Sequence, residues 1–119
     1  MSLTLVLGAS PNPVRFSYKM VKSLIRHNHN VVAVGFREGT IGDIEILTGQ
    51  PHIKNVHTVV LYLGPRRQGD YYKYILSLEP KRIVLNPGTE NPELEGLAME
   101  HGIQVIRDCS IVMLSTGKF

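Results

Sequence analysis

The chain has 119 residues and a formal net charge of +3, with 43% hydrophobic, 19% charged and 7% aromatic residues. This composition excludes a disordered, collagen-like or coiled-coil chain and predicts one globular domain over residues 1–119. One cysteine excludes a disulfide framework and multi-cysteine metal sites, and no apolar run reaches the ~20 residues of a membrane-spanning helix, so we expect a cytoplasmic protein.

The positive charge is concentrated in the first two thirds of the chain. Residues 1–82 contain 11 Lys/Arg and 5 Asp/Glu, whereas residues 83–119 contain 2 Lys/Arg and 5 Asp/Glu. An ordinary solvated surface explains such an excess, and this is the interpretation we favour; the alternative is a site for a phosphorylated small molecule. The basic residues are scattered and are not interleaved with aromatic residues, so we expect neither a nucleic acid nor a membrane as partner.

The first third of the chain predicts a strand, a helix and a second strand. Leu3–Leu7 is a continuous apolar run that ends at a glycine, which is typical of a strand covered on both faces. After a polar, proline-containing loop, apolar residues at helical spacing predict a helix from about Ser17 to residue 27. Residues 31–34 predict a second buried strand, and this order favours a right-handed parallel crossover.

The middle of the chain is less regular. Residues 37–51 keep no single hydrophobic period and contain three glycines, so we expect an irregular segment with at most a short extended piece. Residues 57–63 predict a third strand, Gly64 and Pro65 end it, and a helix is predicted from about Gln68 to Leu78.

The last third is well signalled. Arg82–Leu85 predicts a fourth strand, and Asn91, as the N-cap before a proline, begins a helix that ends at Gly102. Residues 104–106 predict a fifth strand, followed by one turn of helix over residues 110–114. Five strands alternating with three clear helices predict a single-domain α/β fold, a five-stranded, mainly parallel sheet with helices on both faces.

Four loops are expected to form one crevice. Ligands of such sheets bind beyond the carboxyl ends of the strands, at the point where the strand order reverses. The loops that follow the first four strands are residues 8–17, 35–37, 63–66 and 86–88. The sequence therefore predicts that binding residues lie there.

The first loop carries the sharpest signal. At the three positions of the dinucleotide-motif glycines this chain has Gly8, Ser10 and Pro13. Gly8 permits the tight turn out of the strand, Ser10 and Asn12 offer polar side chains, and the following helix N-terminus can receive a phosphate. Pro13 excludes the close pyrophosphate approach of a standard NAD loop. Every α/β fold needs a turn here, so the loop alone leaves both a phosphate site and a plain turn open.

Residues 8–18, which read GASPNPVRFSY, resemble the opening motif of small CoA-binding proteins, relatives of the CoA-binding domain of succinyl-CoA synthetase. The resemblance extends to residues 86–88 and to Cys109, and thus over essentially the whole chain. It implies a Rossmann-like fold with coenzyme A as ligand. It also implies that the pyrophosphate lies near Ser10, Asn12 and Arg15, with Ser17 as a further contact.

The chain departs from the pattern of these relatives at three places. Gly35-Phe36 stands where they often have Asn-Pro, residues 84–88 replace Trp-x-Gln-x-Gly, and Met113 replaces a glutamate. Phe36 is thereby placed to stack on a base and Gly35 to let a ligand pass close to the backbone. Arg37 follows directly, and two interpretations stay open for it: a contact with the 3′-phosphate that coenzyme A carries on its ribose, or a solvated arginine that pairs with Glu38 at the surface.

These observations lead to non-catalytic binding of coenzyme A, or of an acyl-CoA, by a monomer or weak homodimer. No nucleophile–base pair stands in the four loops, so no catalytic residue and no metal ligand is assigned. The alternatives are an NAD(P)- or other nucleotide-binding redox sensor and an interaction module without a ligand. The expected binding residues are Gly8, Ala9, Ser10, Pro11, Asn12, Arg15, Ser17, Gly35, Phe36, Arg37, Leu63, Gly64, Asn86 and Gly88.

Several chemistry-bearing residues stay outside this set. For Cys109 we weigh a thiol that pairs with the CoA sulfhydryl against a buried, inert core cysteine, and we favour the latter. The five histidines form no ligand-spaced set. Glu38 is a candidate for a ribose hydroxyl, although it lies past the strand tip. Three helical tyrosines are assigned to the core and its rim rather than to base stacking: Tyr71, Tyr72 and Tyr74.

Overall fold

Seven strands form one sheet in the computed structural model, which describes residues 2–119. The strands are β1 Leu3–Leu7, β2 Asn30–Val34, β3 Gly39–Ile41, β4 Ile44–Leu47, β5 Val56–Leu61, β6 Arg82–Leu85 and β7 Gln104–Arg107. Their order across the sheet is β3-β4-β2-β1-β5-β6-β7. All neighbours are parallel except β3 and β4, which are antiparallel. The strand order reverses at β1, so a crevice opens there between β2 and β5.

Five α-helices connect or follow the strands: α1 Phe16–Arg26, α2 Pro65–Gln68, α3 Tyr72–Ser77, α4 Pro92–Glu100 and α5 Ser110–Ser115. A 3-10 turn, Gly69–Tyr71, links α2 to α3. Asn91 caps α4 as expected, because its Oδ1 accepts the backbone N–H of Glu93 at 3.1 Å. No helix among residues 2–119 is long and apolar enough to cross a membrane.

Both faces of the sheet are covered, which confirms the predicted fold class. On β1, Leu5 and Leu7 face one core together with Ile75 of α3 and Leu94 of α4. Val6 faces the other core, whose helical side chains come from α1 and α5. This alternation along one strand explains why the central strands read as continuous apolar runs.

The expected irregular segment at residues 37–51 is a β-hairpin, so the sheet has seven strands rather than five. β3 and β4 pair over only three residue pairs, with a turn at Gly42, whose φ is +60°. Strands this short show too few alternations to set a period, although Ile41 and Ile46 are both fully buried. The helix expected from Gln68 begins earlier, at Pro65, and is interrupted by the 3-10 turn.

Candidate ligand-binding site

A cavity of about 560 Å³ opens at the carboxyl ends of β1, β2 and β5. Three of the four predicted loops line it, and the volume lies within the usual range of ~300–1,000 Å³ for small-molecule sites. The lining residues are Gly8, Ala9, Ser10, Pro11, Asn12, Arg15, Phe16, Ser17, Phe36, Arg37, Tyr62, Leu63, Gly64 and Arg67.

Gly8 turns the chain from β1 into the floor of the cavity. Its φ is +97°, and a Cβ there would lie 3.1 Å from the carbonyl carbon of Tyr62. Its N–H donates to the carbonyl of Val34 at 2.8 Å, and the N–H of Ala9 donates to the same oxygen at 3.0 Å. Any residue with a Cβ would be strained by this φ and crowded by Tyr62, so this position requires glycine.

The polar side chains of the first loop stabilise the loop itself. The Ser10 Oγ accepts the N–H of Asn12 at 3.1 Å, and the Asn12 Oδ1 accepts the N–H of Val14 at 3.1 Å. Both are short-range turns of the kind that serine and asparagine favour. The Ser10 hydroxyl hydrogen and the Asn12 side-chain amide have no partner within residues 2–119, so both remain donors for a ligand.

The N-terminus of α1 faces the cavity without a cap. Arg15 is the N-cap residue, no side chain accepts a hydrogen bond from the first turn, and that turn contains no acidic residue. Arg15, Phe16 and the buried Ser17 line the cavity. The orphan N–H groups and the positive end of the helix dipole therefore favour an anion at this place.

Three arginines line the cavity, and no aspartate or glutamate does. They are Arg15, Arg37 and Arg67. Within the described chain their guanidinium groups make no ion pair, since the one salt bridge found there joins Arg107 to Glu95. Several unpaired cations around one concave surface produce a positive potential that attracts anions.

Phe36 forms an aromatic wall of the cavity. Its side chain is 51% exposed, the guanidinium carbon of Arg67 lies 5.0 Å from the ring centroid, and the Tyr71 ring meets it edge-on at 6.2 Å. A second cavity of about 320 Å³ adjoins the first through Phe36 and Arg67 and is also lined by Gln50, Arg66, Asp70 and Tyr71. The two contacts hold the ring between the cavities.

Three of the residues expected from the sequence do not line the cavity. Asn86 is buried: its Nδ2 donates to the carbonyl of Leu61 at 2.9 Å, and its Oδ1 accepts from the N–H and Oγ of Ser110 at 2.9 and 2.8 Å. The N–H of Gly88 donates to a carboxylate oxygen of Glu90. Gly35 packs against the backbone carbonyl of Ala9 in the first loop, so that the loop separates it from the cavity. Binding roles for these three residues have no support in the cavity geometry.

Three lining residues were not expected from the sequence. Phe16 is the first residue of α1. Arg67 lies in α2, one residue beyond the loop predicted at residues 63–66. Tyr62 follows β5, and its hydroxyl lies 3.0 Å from the Ser110 Oγ. Because that Oγ donates to Asn86, the Tyr62 hydroxyl donates to Ser110. Burial raises the pKa of Tyr62 to about 12, so its phenol stays protonated at neutral pH.

The other candidates lie outside the cavity. Cys109 is half-buried at the N-terminus of α5 rather than fully buried as expected. Glu38 is exposed. Tyr74 is buried and donates to the carbonyl of Pro51, and the Tyr72 hydroxyl accepts from Asn91, which agrees with places in the core and at its rim.

Comparison with known proteins relates this geometry to a family. Residues 3–115 match the family model described as CoA binding domain. The chain is 44% identical to an uncharacterized protein of known crystal structure, with a TM-score of 0.97, over 100% of this chain and 98% of that one.

Two further structures share the fold at lower identity. A protein from Thermus thermophilus is 23% identical, with a TM-score of 0.87 over 99% of this chain and 90% of that one. A hypothetical protein from Pyrococcus horikoshii OT3 is 20% identical, with a TM-score of 0.85 over 95% and 81%. No curated protein matches the chain significantly.

Proposed function

We propose that this chain, which belongs to the family of CoA-binding domains, binds coenzyme A or an acyl-CoA non-catalytically in the cavity beside β1. The observation that carries the proposal is the cavity's charge: three unpaired arginines and an uncapped helix N-terminus surround it, and no acidic residue lines it. Coenzyme A brings a pyrophosphate and a ribose 3′-phosphate to such a surface. Both are anions that arginine binds with paired hydrogen bonds.

The pyrophosphate is assigned to the N-terminus of α1. There the free backbone N–H groups of the first turn, the Ser10 hydroxyl and the Asn12 amide converge with the Arg15 side chain. A phosphate at a helix N-terminus is favoured both by these donors and by the helix dipole.

The 3′-phosphoadenosine is assigned to the side of the cavity formed after β2. Phe36 offers a half-exposed ring on which a base can stack, and Arg67 packs against that ring. Arg37 follows Phe36 and also lines the cavity, and we assign the ribose phosphate to it. A base that stacks on an aromatic ring gains roughly 1–3 kcal/mol.

Binding without catalysis is supported by the chemistry of the lining. Apart from the arginines, Tyr62 is the one titratable side chain found among the lining residues, and its raised pKa keeps the phenol protonated at neutral pH, so it cannot accept a proton there. A general base needs a pKa near the operating pH and a position next to the reacting atom. We expect Cys109→Ser, outside the lining, to leave CoA affinity within about threefold, below the tenfold that ~1.4 kcal/mol represents.

Calorimetric titration with CoA and acetyl-CoA tests the proposal. Wild-type protein should bind both, and Arg15→Gln should weaken CoA by roughly 1.5–3 kcal/mol, the size of a charge-assisted hydrogen bond. Lys73→Gln, an exposed cation on α3, is the matched control and should bind like wild type. No heat and no thermal shift at millimolar CoA would contradict the proposal, and tighter binding of NADPH than of CoA would favour a dinucleotide sensor.

A further inference from the structure

The helices on the two faces of the sheet differ in charge. α1 and α5 cover one face, and α4 lies over the other. α1 carries Lys19, Lys22 and Arg26, α5 carries no charged residue, and neither helix contains an aspartate or a glutamate. α4 instead contains three glutamates and no lysine or arginine. Exposed helices of soluble domains usually mix both signs, so the face of α1 calls for an explanation.

Four cations form a row along α1, which we call the basic row: Arg15, the N-cap residue, followed by Lys19, Lys22 and Arg26. They lie three or four residues apart, and at ~100° per residue they fall within a stripe ~60° wide. From the first to the last the helix extends about 16 Å. None of the four has a carboxylate within 4.0 Å, since the one ion pair found in residues 2–119 joins α4 to β7.

The basic row does not stabilise the helix that carries it. Like charges three or four residues apart on a helix repel each other. Arg15 and Lys19 also lie at the N-terminal end of α1, where the helix dipole disfavours cations. The row is therefore explained by an anionic partner rather than by the stability of α1.

A groove of about 470 Å³ adjoins the basic row and reaches from α1 to Ile111 of α5. Its lining combines three cations of the row with apolar side chains and contains no acidic residue. The Phe16 side chain is 67% exposed, and the Nζ of Lys19 lies 5.3 Å from the centroid of its ring. Cation and ring are thus presented together. An exposed apolar surface bordered by polar residues commonly marks a protein–protein contact.

We propose that this groove docks an acidic amphipathic helix of a partner protein. The carboxylates of such a helix, at the spacing of the basic row, pair with its four cations, and apolar side chains beside them enter the groove between α1 and α5. Docking of an amphipathic helix into a groove is a recurrent form of recognition. The inference goes beyond the proposed function and does not depend on coenzyme A.

Other anionic partners use less of this surface. The phosphates of a nucleic acid would pair with the basic row but would leave Phe16 and Ile111 uncovered. A bilayer offers both charge and apolar contact, but its surface is flat and does not fill a groove. A helix with carboxylates and apolar side chains on adjoining stripes supplies both contacts in a convex shape.

Fluorescence anisotropy with a labelled helical peptide tests the inference. The peptide carries glutamates at the spacing of the basic row and leucines beside them, and the comparison peptide has glutamine in place of each glutamate. The acidic peptide should bind about tenfold tighter, the combined effect of several exposed ion pairs. Lys19→Gln and Arg26→Gln should each weaken the acidic peptide about threefold, whereas Arg26→Lys should retain its affinity. Phe16→Ser should weaken both peptides several-fold, because apolar contact is lost.

Matched controls lie away from the groove. Lys73→Gln removes an exposed cation of α3, and Met99→Ser changes an exposed apolar residue of α4; both should bind the peptides like wild type. Arg26→Gln should unfold no earlier than wild type on heating, because it relieves repulsion within the basic row. It should also bind CoA like wild type, since Arg26 does not line the cavity.

Equal affinity for the two peptides, or no binding of the acidic one, would overturn the inference. Binding of duplex DNA or of phosphatidylglycerol vesicles that Arg26→Gln abolishes, with no binding of the acidic peptide, would assign the basic row to another polyanion and overturn it as well. Docking of the peptide to protein that fails to bind CoA would support this inference while contradicting the proposed function.

Discussion

At the scale of single residues, Gly35 shows how close the first loop lies to the sheet. A Cβ on this residue would lie 2.0 Å from the carbonyl oxygen of Ala9, whose position is set by backbone hydrogen bonds to Val34. No side chain fits there unless the loop moves. The glycine at the tip of β2 is therefore explained by packing of the loop.

Gly35→Ala should lower the free energy of unfolding by about 3 kcal/mol, at the upper end of the usual cost of overpacking, because a backbone oxygen cannot move aside cheaply. Urea unfolding measures the change. Gly96→Ala is the control of opposite sign: this exposed glycine of α4 has nothing within 4 Å of its added Cβ, so alanine should stabilise the protein by about 1 kcal/mol. A Gly35→Ala protein as stable as wild type would refute the packing explanation.

Arg37 decides, in our proposal, between coenzyme A and its dephosphorylated form. We expect CoA to bind better than 3′-dephospho-CoA by roughly 1.5–3 kcal/mol, the worth of a charge-assisted bond. Arg37→Ala should abolish that difference and barely change the affinity for dephospho-CoA. Equal affinity of wild-type protein for the two ligands would remove Arg37 from the site. Calorimetry with both ligands decides.

At the scale of elements, a buried polar network ties the helices to the cavity wall. Gln68 is fully buried, and its Nε2 donates to the carbonyls of Leu63 and Thr89 at 2.9 and 2.8 Å. Its Oε1 accepts from the Nδ2 of Asn91 at 2.9 Å, while the Oδ1 of Asn91 caps α4. Asn91 thus caps α4 and also satisfies the buried side chain of Gln68 in α2.

Asn91→Ala should lower stability by roughly 2–4 kcal/mol, about 1 from the lost cap and the remainder from leaving the Gln68 oxygen buried without a donor. Asn91→Ser retains a cap acceptor but removes the amide, so its loss should be smaller by about 1 kcal/mol. Thermal and urea unfolding of the three proteins give the comparison. A serine variant as stable as wild type would show that the contact with Gln68 contributes nothing.

The ion pair between α4 and β7 makes stability depend on pH. Arg107 contacts Glu95 through two hydrogen bonds, of 2.9 and 2.7 Å, and these hold the pKa of Glu95 below its usual value. A carboxylate with a lowered pKa in the folded state stabilises above its unfolded pKa of ~4.3, and this stabilisation is lost as pH falls through the folded value.

Arg107→Gln should therefore be less stable than wild type near neutral pH, with a difference that shrinks below about pH 4 as Glu95 becomes protonated. The effect should be small, because 52% of the Arg107 side chain is exposed to solvent. Urea midpoints of wild type and Arg107→Gln, measured from neutral pH to below about pH 4, give this difference. Lys73→Gln, which removes an exposed cation elsewhere, is the control variant. A difference independent of pH would assign the effect to packing of the arginine stem.

At the scale of the whole molecule, part of the excess of positive charge in the first 82 residues lies at the proposed site. The first 82 residues hold 11 of the 13 Lys/Arg, and they include every arginine that lines the cavity. Charges on a concave surface act together on an approaching anion. Three of these eleven cations, Arg15, Arg37 and Arg67, thus act together at the proposed site.

Raising the salt concentration from about 0.05 M to about 0.5 M should weaken CoA binding several-fold, since screening shortens the range of these charges. Dephospho-CoA carries fewer charges and should lose less affinity. Titration of both ligands at each salt concentration measures the two slopes. Salt-independent binding of CoA would contradict an electrostatic site.

Local signals allowed much of the fold to be predicted from the sequence. The apolar runs gave β1, β2, β5, β6 and β7, the proline after Asn91 located the start of α4, and the glycine after β1 located the first loop. These features depend on residues close together in the chain. The hairpin β3–β4 was missed because its strands are stabilised by pairing and burial rather than by their own pattern.

The sequence by itself determined the α/β class, the edge of the sheet where the loops gather and the first loop's Gly8, Ser10 and Arg15, because strand, turn and helix signals are local. Only the tertiary structure decided which side chains face the cavity. It brings Phe16, Tyr62 and Arg67 to the lining and turns Asn86 inward to Ser110, 24 residues away. The physical reason is that a side chain's direction at a loop is fixed by distant hydrogen bonds and packing, which one segment of sequence does not contain.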